Sequence, residues 1–507
     1  RTDRSVTEAD APQWEGVSRI KSVMWRAEGF ASRHSDLLIV LSLIAVGLAL
    51  RLWINRGLWL DEATSVSQTK MEFGRMLSYL RTSDAHPPLF HMMLWSEIRL
   101  FGAGPLAVRM PSIILGTALI PLLYGAGREL FNRRTGLIAA LLACFSPAII
   151  WYSQEARMYA LFMVFATIAI WAQVRCVRSN SFRAWAAFTI AASAVIWSHY
   201  FSLFFVFTLE LAFVAYMVTQ RHTAGAGKFR ANWVRSLVGM FLLLAPLAVM
   251  TYGQLTNTKG VAAADDANGL AGGNSPIYTA ISSLASGVIG YHTDSTMMVV
   301  NALWPIAMLI GLLALGRGRS RSTALLLCTI FVPLSILFLI SFKRADVLEL
   351  RYFAASVPAI MLLLARGITR LSTKTTTLVL LCTAVVGTMG IGLVDEQLNE
   401  ENPRVYAFGS VLTEINEQHQ PGDLMLFEPF YLHPTVKYYT PAFMSYPLIA
   451  GLDSTTAPKR IFIVGSPVFS DRELSEYRLK TVVDRLTQDR VLEKHVEKNH
   501  IEYWVFS

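Results

Sequence analysis

Apolar runs of membrane length follow one another from residue 36 to residue 394, and the intervals between them are short and polar. Windows such as 36–53, 107–124 and 233–252 carry almost no charge and are long enough to cross a hydrocarbon core about 30 Å thick at about 1.5 Å per helical residue. The pattern predicts about eleven spans, near 36–54, 106–127, 135–152, 157–175, 184–199, 201–219, 233–252, 297–315, 322–341, 351–368 and 375–394. The runs are continuous rather than alternating, which excludes a membrane β-barrel.

The intervals support this count independently. If the Arg19 to Arg33 end is cytoplasmic, every second loop should be rich in Lys and Arg. Arg128, Arg133 and Arg134 fill the first such loop, Arg175, Arg178 and Arg183 the next, and Arg221, Lys228, Arg230 and Arg235 the third. Arg317, Arg319 and Arg321, then Arg366, Arg370 and Lys374, complete the series. A missed or invented span would put the series out of phase. The opposite loops, 55–105, 152–159, 199–200, 253–296 and 342–351, should then share the outer face with everything after Val394.

Within loop 55–105, Glu62 to Arg81 is expected to form one amphipathic helix on the membrane surface and Pro87 to Phe101 a second, opened by its prolines. Residues 253–274, rich in Gly, Ala, Asp and Asn, suit a mobile lid or disorder. Beyond the last span, apolar runs at 424–427, 460–464 and 501–506 alternate with helical patterns at 404–418 and 471–489, which predicts a small α/β soluble domain. The organisation is a cytoplasmic segment 1–35, a transmembrane domain 36–395 and an outer C-terminal domain 396–507.

Composition narrows the class. With 507 residues, 53% hydrophobic, 16% charged and a mean hydropathy of +0.42, the chain is a polytopic α-helical membrane protein. The net charge of +9 would suggest nucleic acid in a soluble chain. Here the basic residues set topology, so no nucleic-acid partner is expected. Cys144, Cys176, Cys328 and Cys382 are isolated in or beside apolar runs, with no disulfide framework and no zinc spacing. No internal repeat, Walker sequence or glycine-rich nucleotide loop occurs, and no cleavable leader is expected, because the first apolar run is too long and lies too far in.

The outer loops hold polar residues that no lipid-facing helix needs. Asp61-Glu62 follows the first span; alone, such a pair is more often a helix N-cap than a catalyst. Asp84-Ala85-His86-Pro87-Pro88 places a carboxylate and an imidazole before a rigid turn, again compatible with a helix start, or with a phosphate donor or metal ligand. Ser146-Pro147 and the stretch 151–159 contribute Glu155, Arg157 and Tyr159, where a structural ion pair competes with a substrate role. Lys343, Arg344 and Arg351-Tyr352 are cations on the side where topology does not ask for them, and Arg351 opens a span. Carboxylates at Asp61, Asp84 and Glu155 with cations at His86, Arg157 and Arg351 suit an outer pocket that takes a phosphate at the lipid boundary, since the guanidinium fork matches phosphate oxygens. A carboxylate there can deprotonate an attacking hydroxyl while the cations stabilise a leaving phosphate.

LWLDEA at 58–63, DAHPPLF at 84–90, RMPS at 109–112, SPAIIWYSQEARMYAL at 146–161 and RYFAASVPAI at 351–360 together resemble the GT-C class of membrane glycosyltransferases, in particular its protein O-mannosyltransferase and aminoarabinose transferase (ArnT-like) group. The resemblance spans the membrane part and is weaker after residue 396. It implies a GT-C fold and transfer, with inversion, from a polyprenyl-phosphate sugar donor to an envelope glycan, glycolipid or protein acceptor. The setting it implies is the periplasmic face of a bacterial inner membrane. By the same resemblance Asp61 is the catalytic base, and His86, Arg157 and Arg351 bind the donor phosphate. Glu62, Asp84, Glu155, Tyr159 and Tyr352 are supporting, metal or acceptor candidates. The aminoarabinose transferases carry Lys where His86 stands. A divalent metal, Mg or Mn, stays open.

The rival reading is a transporter or flippase of lipid-linked sugars, which would place ionisable groups near the midplane and show paired halves. Tyr431, His433, Tyr438 and Tyr439 could stack on a sugar, although packing is the commoner role for such residues.

Overall fold

The computed structural model describes residues 34–256, 276–290, 320–342, 348–399, 402, 406–448, 458–466 and 472–507. The expected span 297–315, most of the glycine-rich stretch 253–274, the segment 1–33 and the pair Lys343 and Arg344 lie outside the described residues. Among the described residues eight helices are long and apolar enough to cross a membrane: α1 (His34–Leu52), α5 (Pro105–Leu130), α8 (Tyr159–Ser179), α10 (Ser202–Thr219), α11 (Ala226–Thr256), α13 (Arg321–Ser341), α14 (Leu350–Leu371) and α15 (Thr375–Leu398). The expected span 184–199 is the shorter apolar helix α9 (Phe182–Ser198), and α12 (Pro276–Ile289) is another.

The expected continuous span at 135–152 is broken. It consists of α6 (Arg133–Phe145) and α7 (Pro147–Ser153), bent by 56°. Pro147 has no N–H to continue α6 and fits the first turn of a new helix, while the Ser146 hydroxyl accepts the Ile149 N–H at 3.3 Å and caps it. Arg51, fully buried near the end of α1, donates to Gly47 O at 2.8 Å, Ala143 O at 3.0 Å and the Ser153 hydroxyl at 3.3 Å, and so ties α1 across the break. Helices α5 and α6 approach through glycine: a Cβ on Gly136 would lie 2.6 Å from Tyr124 O. Helix packing in lipid favours such small contacts because no hydrophobic gain separates helix from lipid tail.

Loop 55–105 contains α2 (Leu60–Thr69), α3 (Phe73–Ser83) and α4 (Leu89–Phe101). The single helix expected over Glu62 to Arg81 is therefore two. The carbonyls freed at the break are taken by α4: Arg99 donates to Thr69 O at 3.0 Å and Met71 O at 2.6 Å, and the Trp95 indole donates to Met71 O at 3.1 Å. Asp61 is not the cap of α2, because the helix starts at Leu60, two residues before the expected Glu62, with Trp59 at the N-cap.

The C-terminal part is a small mixed-sheet domain. Five strands, β1 (Leu424–Glu428), β2 (Met444–Pro447), β3 (Ile461–Gly465), β4 (Leu492–Lys498) and β5 (Ile501–Phe506), lie in the order β2-β1-β3-β5-β4. The first three are parallel, and β5 pairs antiparallel with β3 and β4. Helices α16 (Phe408–Glu417), α17 (His433–Tyr439) and α18 (Arg472–Asp489) connect them. The domain seats on loop 55–105: the Tyr438 hydroxyl donates to Ala103 O at 2.8 Å, and Leu58 N–H donates to the Tyr439 hydroxyl oxygen at 2.5 Å. Both tyrosines are thus packing residues in this seam.

Candidate active site

The start of α2 separates two adjacent carboxylates. Glu62, in the first turn, reaches back to the Trp59 N–H at 3.2 Å. Its Oε1 also accepts Arg109 Nε at 2.7 Å and the Ala156 N–H at 2.8 Å, and its Oε2 accepts Arg109 Nη2 at 2.5 Å. Arg109 spends its remaining donors on Arg56 O at 3.0 Å and Gly57 O at 2.7 Å. Both side chains are buried. Glu62 therefore offers no open oxygen to a substrate or metal; it pins the loop entry, α5 and the turn before α8 to one another.

Asp61 lies about 100° around the helix from Glu62, as one residue of α-helix requires. Its side chain is 29% exposed and points between two guanidinium groups, with Oδ2 3.6 Å from Arg157 Nη2 and 3.9 Å from Arg351 Nη1. Arg157 sits in the turn between α7 and α8, donates through Nη1 to the Ser65 hydroxyl at 3.0 Å, and lies through Nη2 3.2 Å from His86 Nε2. Ser65 and Gln68 follow Asp61 on the same face of α2 at helical spacing.

His86 is held by Asp84. The Asp84 Oδ1 accepts the His86 N–H at 2.7 Å and lies 2.8 Å from Nδ1, while Oδ2 accepts Gln68 Nε2 at 2.7 Å. Burial alone would raise the Asp84 carboxyl pKa, but its interactions with His86 and the Gln68 hydrogen bond outweigh it and hold the carboxyl well below its usual range. Arginine can only donate, so His86 Nε2 accepts from Arg157 and the ring proton stays on Nδ1, facing Asp84.

Arg351 approaches from the start of α14. Its Nε is 2.9 Å from Glu349 Oε2, its Nη2 donates to Glu349 Oε1 at 3.1 Å, and its guanidinium lies 5.1 Å from the Tyr352 ring centroid. Tyr352 packs edge-on against Phe201 at 5.0 Å. Tyr159 is buried 4.7 Å from the Tyr152 ring, and Glu155 is buried in the same turn as Arg157. His199, at the end of α9, is 4% exposed and lies 6.4 Å from His86 and 5.9 Å from Tyr352, ring to ring.

Four of the residues expected on sequence grounds, Asp61, His86, Arg157 and Arg351, thus face one another. Asp84 and Glu62 stand behind them, each occupied by protein donors. Arg109, Ser65, Gln68, Glu349 and His199 are the additions. Arg109 had a legible signal, a cation at the outer end of a span as for Arg351; Ser65 and Gln68 had one in their spacing from Asp61. Among the described residues no three His, Cys, Asp or Glu side chains come together as a metal site. Glu62 and Asp84 are already taken up by protein donors.

The family model for dolichyl-phosphate-mannose-protein mannosyltransferases matches residues 85–250, a stretch that includes His86, Arg109, Arg157 and His199. No curated protein sequence matches the chain significantly. Among solved structures, ArnT from Cupriavidus metallidurans bound to undecaprenyl phosphate is similar with a TM-score of 0.60 at 12% identity, over 92% of this chain and 97% of that one. Its apo form gives 0.59 at 12%, over 94% and 98%. The Archaeoglobus fulgidus oligosaccharyltransferase in complex with Zn and sulfate gives 0.53 at 13%, over 85% and 68%. At these identities the likeness establishes the fold.

Proposed function

We propose that this chain, a multi-pass membrane protein with the GT-C fold, is an inverting glycosyltransferase that moves a hexosyl or pentosyl group from a polyprenyl-phosphate donor to a hydroxyl of an envelope glycan, glycolipid or protein. The carrying observation is the convergence of Asp61 with Arg157 and Arg351, from three distant parts of the chain, at 3.6 Å and 3.9 Å. The match to a mannosyltransferase family model over residues 85–250 supports the same reading. The setting that fits is a bacterial inner membrane with the site on the periplasmic face, because the arginine-rich loops lie at the other ends of the spans.

In this reading the donor phosphate lies between the two guanidinium groups and takes over their charge, which frees Asp61 for the acceptor. The carboxylate accepts the hydroxyl proton as the acceptor oxygen attacks C1 of the sugar. The bond from C1 to the phosphate oxygen breaks, its electron pair leaves with polyprenyl phosphate, and Arg157 and Arg351 stabilise the departing charge. A single displacement inverts the anomeric centre. His86, neutral and oriented by Asp84, holds the Arg157 fork in place.

The test is transfer by the purified protein from a polyprenyl-phosphate sugar to envelope extracts, beside a nucleotide sugar without lipid carrier. The Asp61→Asn chain should lose turnover by about 100-fold or more, the usual share of a general base, and still bind undecaprenyl phosphate. Transfer from the nucleotide sugar alone, or unchanged turnover in Asp61→Asn, would overturn the proposal.

A further inference from the structure

His199 stands beside the site with a ring N–H that no protein group accepts among the described residues. It ends α9 in extended backbone, is 4% exposed, and stacks on Phe162 with centroids 5.5 Å apart and planes 26° apart. Its Nδ1 accepts the Phe201 N–H at 3.2 Å. A neutral ring that accepts at Nδ1 carries its proton on Nε2. Among the described residues that Nε2–H has no hydrogen-bond partner.

The ring is not placed for packing alone. His86 and Tyr352 flank it edge-on, and its charged neighbours are Arg157 and Arg351. Burial first, then these cations, push its pKa well below the usual histidine value, so the ring stays neutral and its donor stays fixed. A side-chain N–H with no protein partner that meets an anion held by two arginines gains a charge-assisted bond.

We infer that His199 is a third contact for the donor phosphate, its Nε2–H donating to a phosphate oxygen seated between Arg157 and Arg351. The inference rests on the phosphate-donor reading above and adds a ligand from α9, an element that contributes none of the other site residues. The neutral donor complements the two cations: it fixes orientation without adding charge that would hold the product phosphate in the site.

The experiment measures binding of undecaprenyl phosphate and of uncharged undecaprenol to purified full-length protein in detergent. His199→Phe keeps the stacked ring and removes the donor. His199→Asn keeps an acceptor toward Phe201 and is too short to replace Nε2. His199→Gln can place an N–H near the Nε2 position. Phe and Asn should each weaken undecaprenyl phosphate binding by about 10- to 100-fold, the range for a hydrogen bond to a charged group, with undecaprenol binding unchanged and Gln restoring most of the loss. Equal weakening for phosphate and alcohol would show a packing role and overturn the inference, as would unchanged phosphate binding in both variants. Failure of the unaltered protein to bind undecaprenyl phosphate would instead defeat the functional proposal itself.

Discussion

Arg109 and Glu62 form a buried two-point ion pair, Nε to Oε1 at 2.7 Å and Nη2 to Oε2 at 2.5 Å, and this pair leaves the adjacent Asp61 as the carboxylate that faces Arg157 and Arg351. The pair also fixes where Asp61 points. Arg109 holds the backbone oxygens of Arg56 and Gly57, Glu62 holds Trp59 and Ala156 N–H, and the α2 start has no freedom to rotate.

Breaking that pair from one side should be severe. Arg109→Met leaves the Glu62 carboxylate buried without its counter-charge and should destabilise the protein by about 3–5 kcal/mol. Glu62→Gln in the same background removes the stranded charge and should recover part of the loss. Thermal unfolding in detergent of the two single variants and the double variant measures the coupling; additive effects would contradict the pairing.

Arg157→Lys and Arg351→Lys retain charge but lose the planar fork. Each should raise the donor KM by about tenfold or more. Arg157→Lys should also lower kcat, because Arg157 contacts Ser65 and His86 as well as Asp61. Arg351, with Glu349 as its other partner, should show the effect mainly in KM. Steady-state kinetics with varied donor separate the two.

Acid should weaken the fold through buried imidazoles before it reaches the carboxylates. Burial, with help from Arg157 and His86 and against Asp84, lowers the His91 pKa to about 4. The folded state then binds fewer protons than the unfolded one as pH falls from about 6.5 to about 4, so stability is lost across that window, by about 3 kcal/mol for a shift of this size. Asp84 has the same sign of linkage in a more acid window: its depressed pKa contributes stability above the unfolded carboxylate value and loses it as pH falls below that value. His91→Gln should flatten the slope between pH 6.5 and 4, which unfolding midpoints against pH will show.

The C-terminal domain should act on the site through the loop it touches. A Cβ at Gly57 would lie 2.7 Å from the Gly409 backbone, so Gly57→Ala must push α16 and the loop apart. Tyr439→Phe removes the acceptor of the buried Leu58 N–H, at a cost of about 1–3 kcal/mol. Both variants should speed hydrogen exchange over residues 56–62 and lower turnover several-fold while the sheet stays protected. Unchanged exchange in that segment would show that the seam does not control the site.

What the sequence determined by itself is what burial writes continuously along the chain. Every expected span within the described residues falls on a helix or on the bent pair α6 and α7, because a helix in lipid must be apolar over its whole length. The three inner strands β1, β3 and β5 were legible for a related reason: largely covered on both faces, they read as mostly apolar runs. The edge strands β2 and β4 were not, since one is short and exposed at alternate positions and the other carries LEKHVEK, the charged composition by which an edge avoids further pairing. The types of residue at the site could be read from the loops as well, down to Asp61, His86, Arg157 and Arg351. Only the tertiary structure decided which of two neighbouring carboxylates faces the arginines. That choice depends on Arg109, 47 residues away, filling the face of α2 that Glu62 presents, and on a turn before α8 that brings Arg157 to the other. Partners so far apart along the chain leave no period and no local pattern, so their contact exists only once the helices have packed.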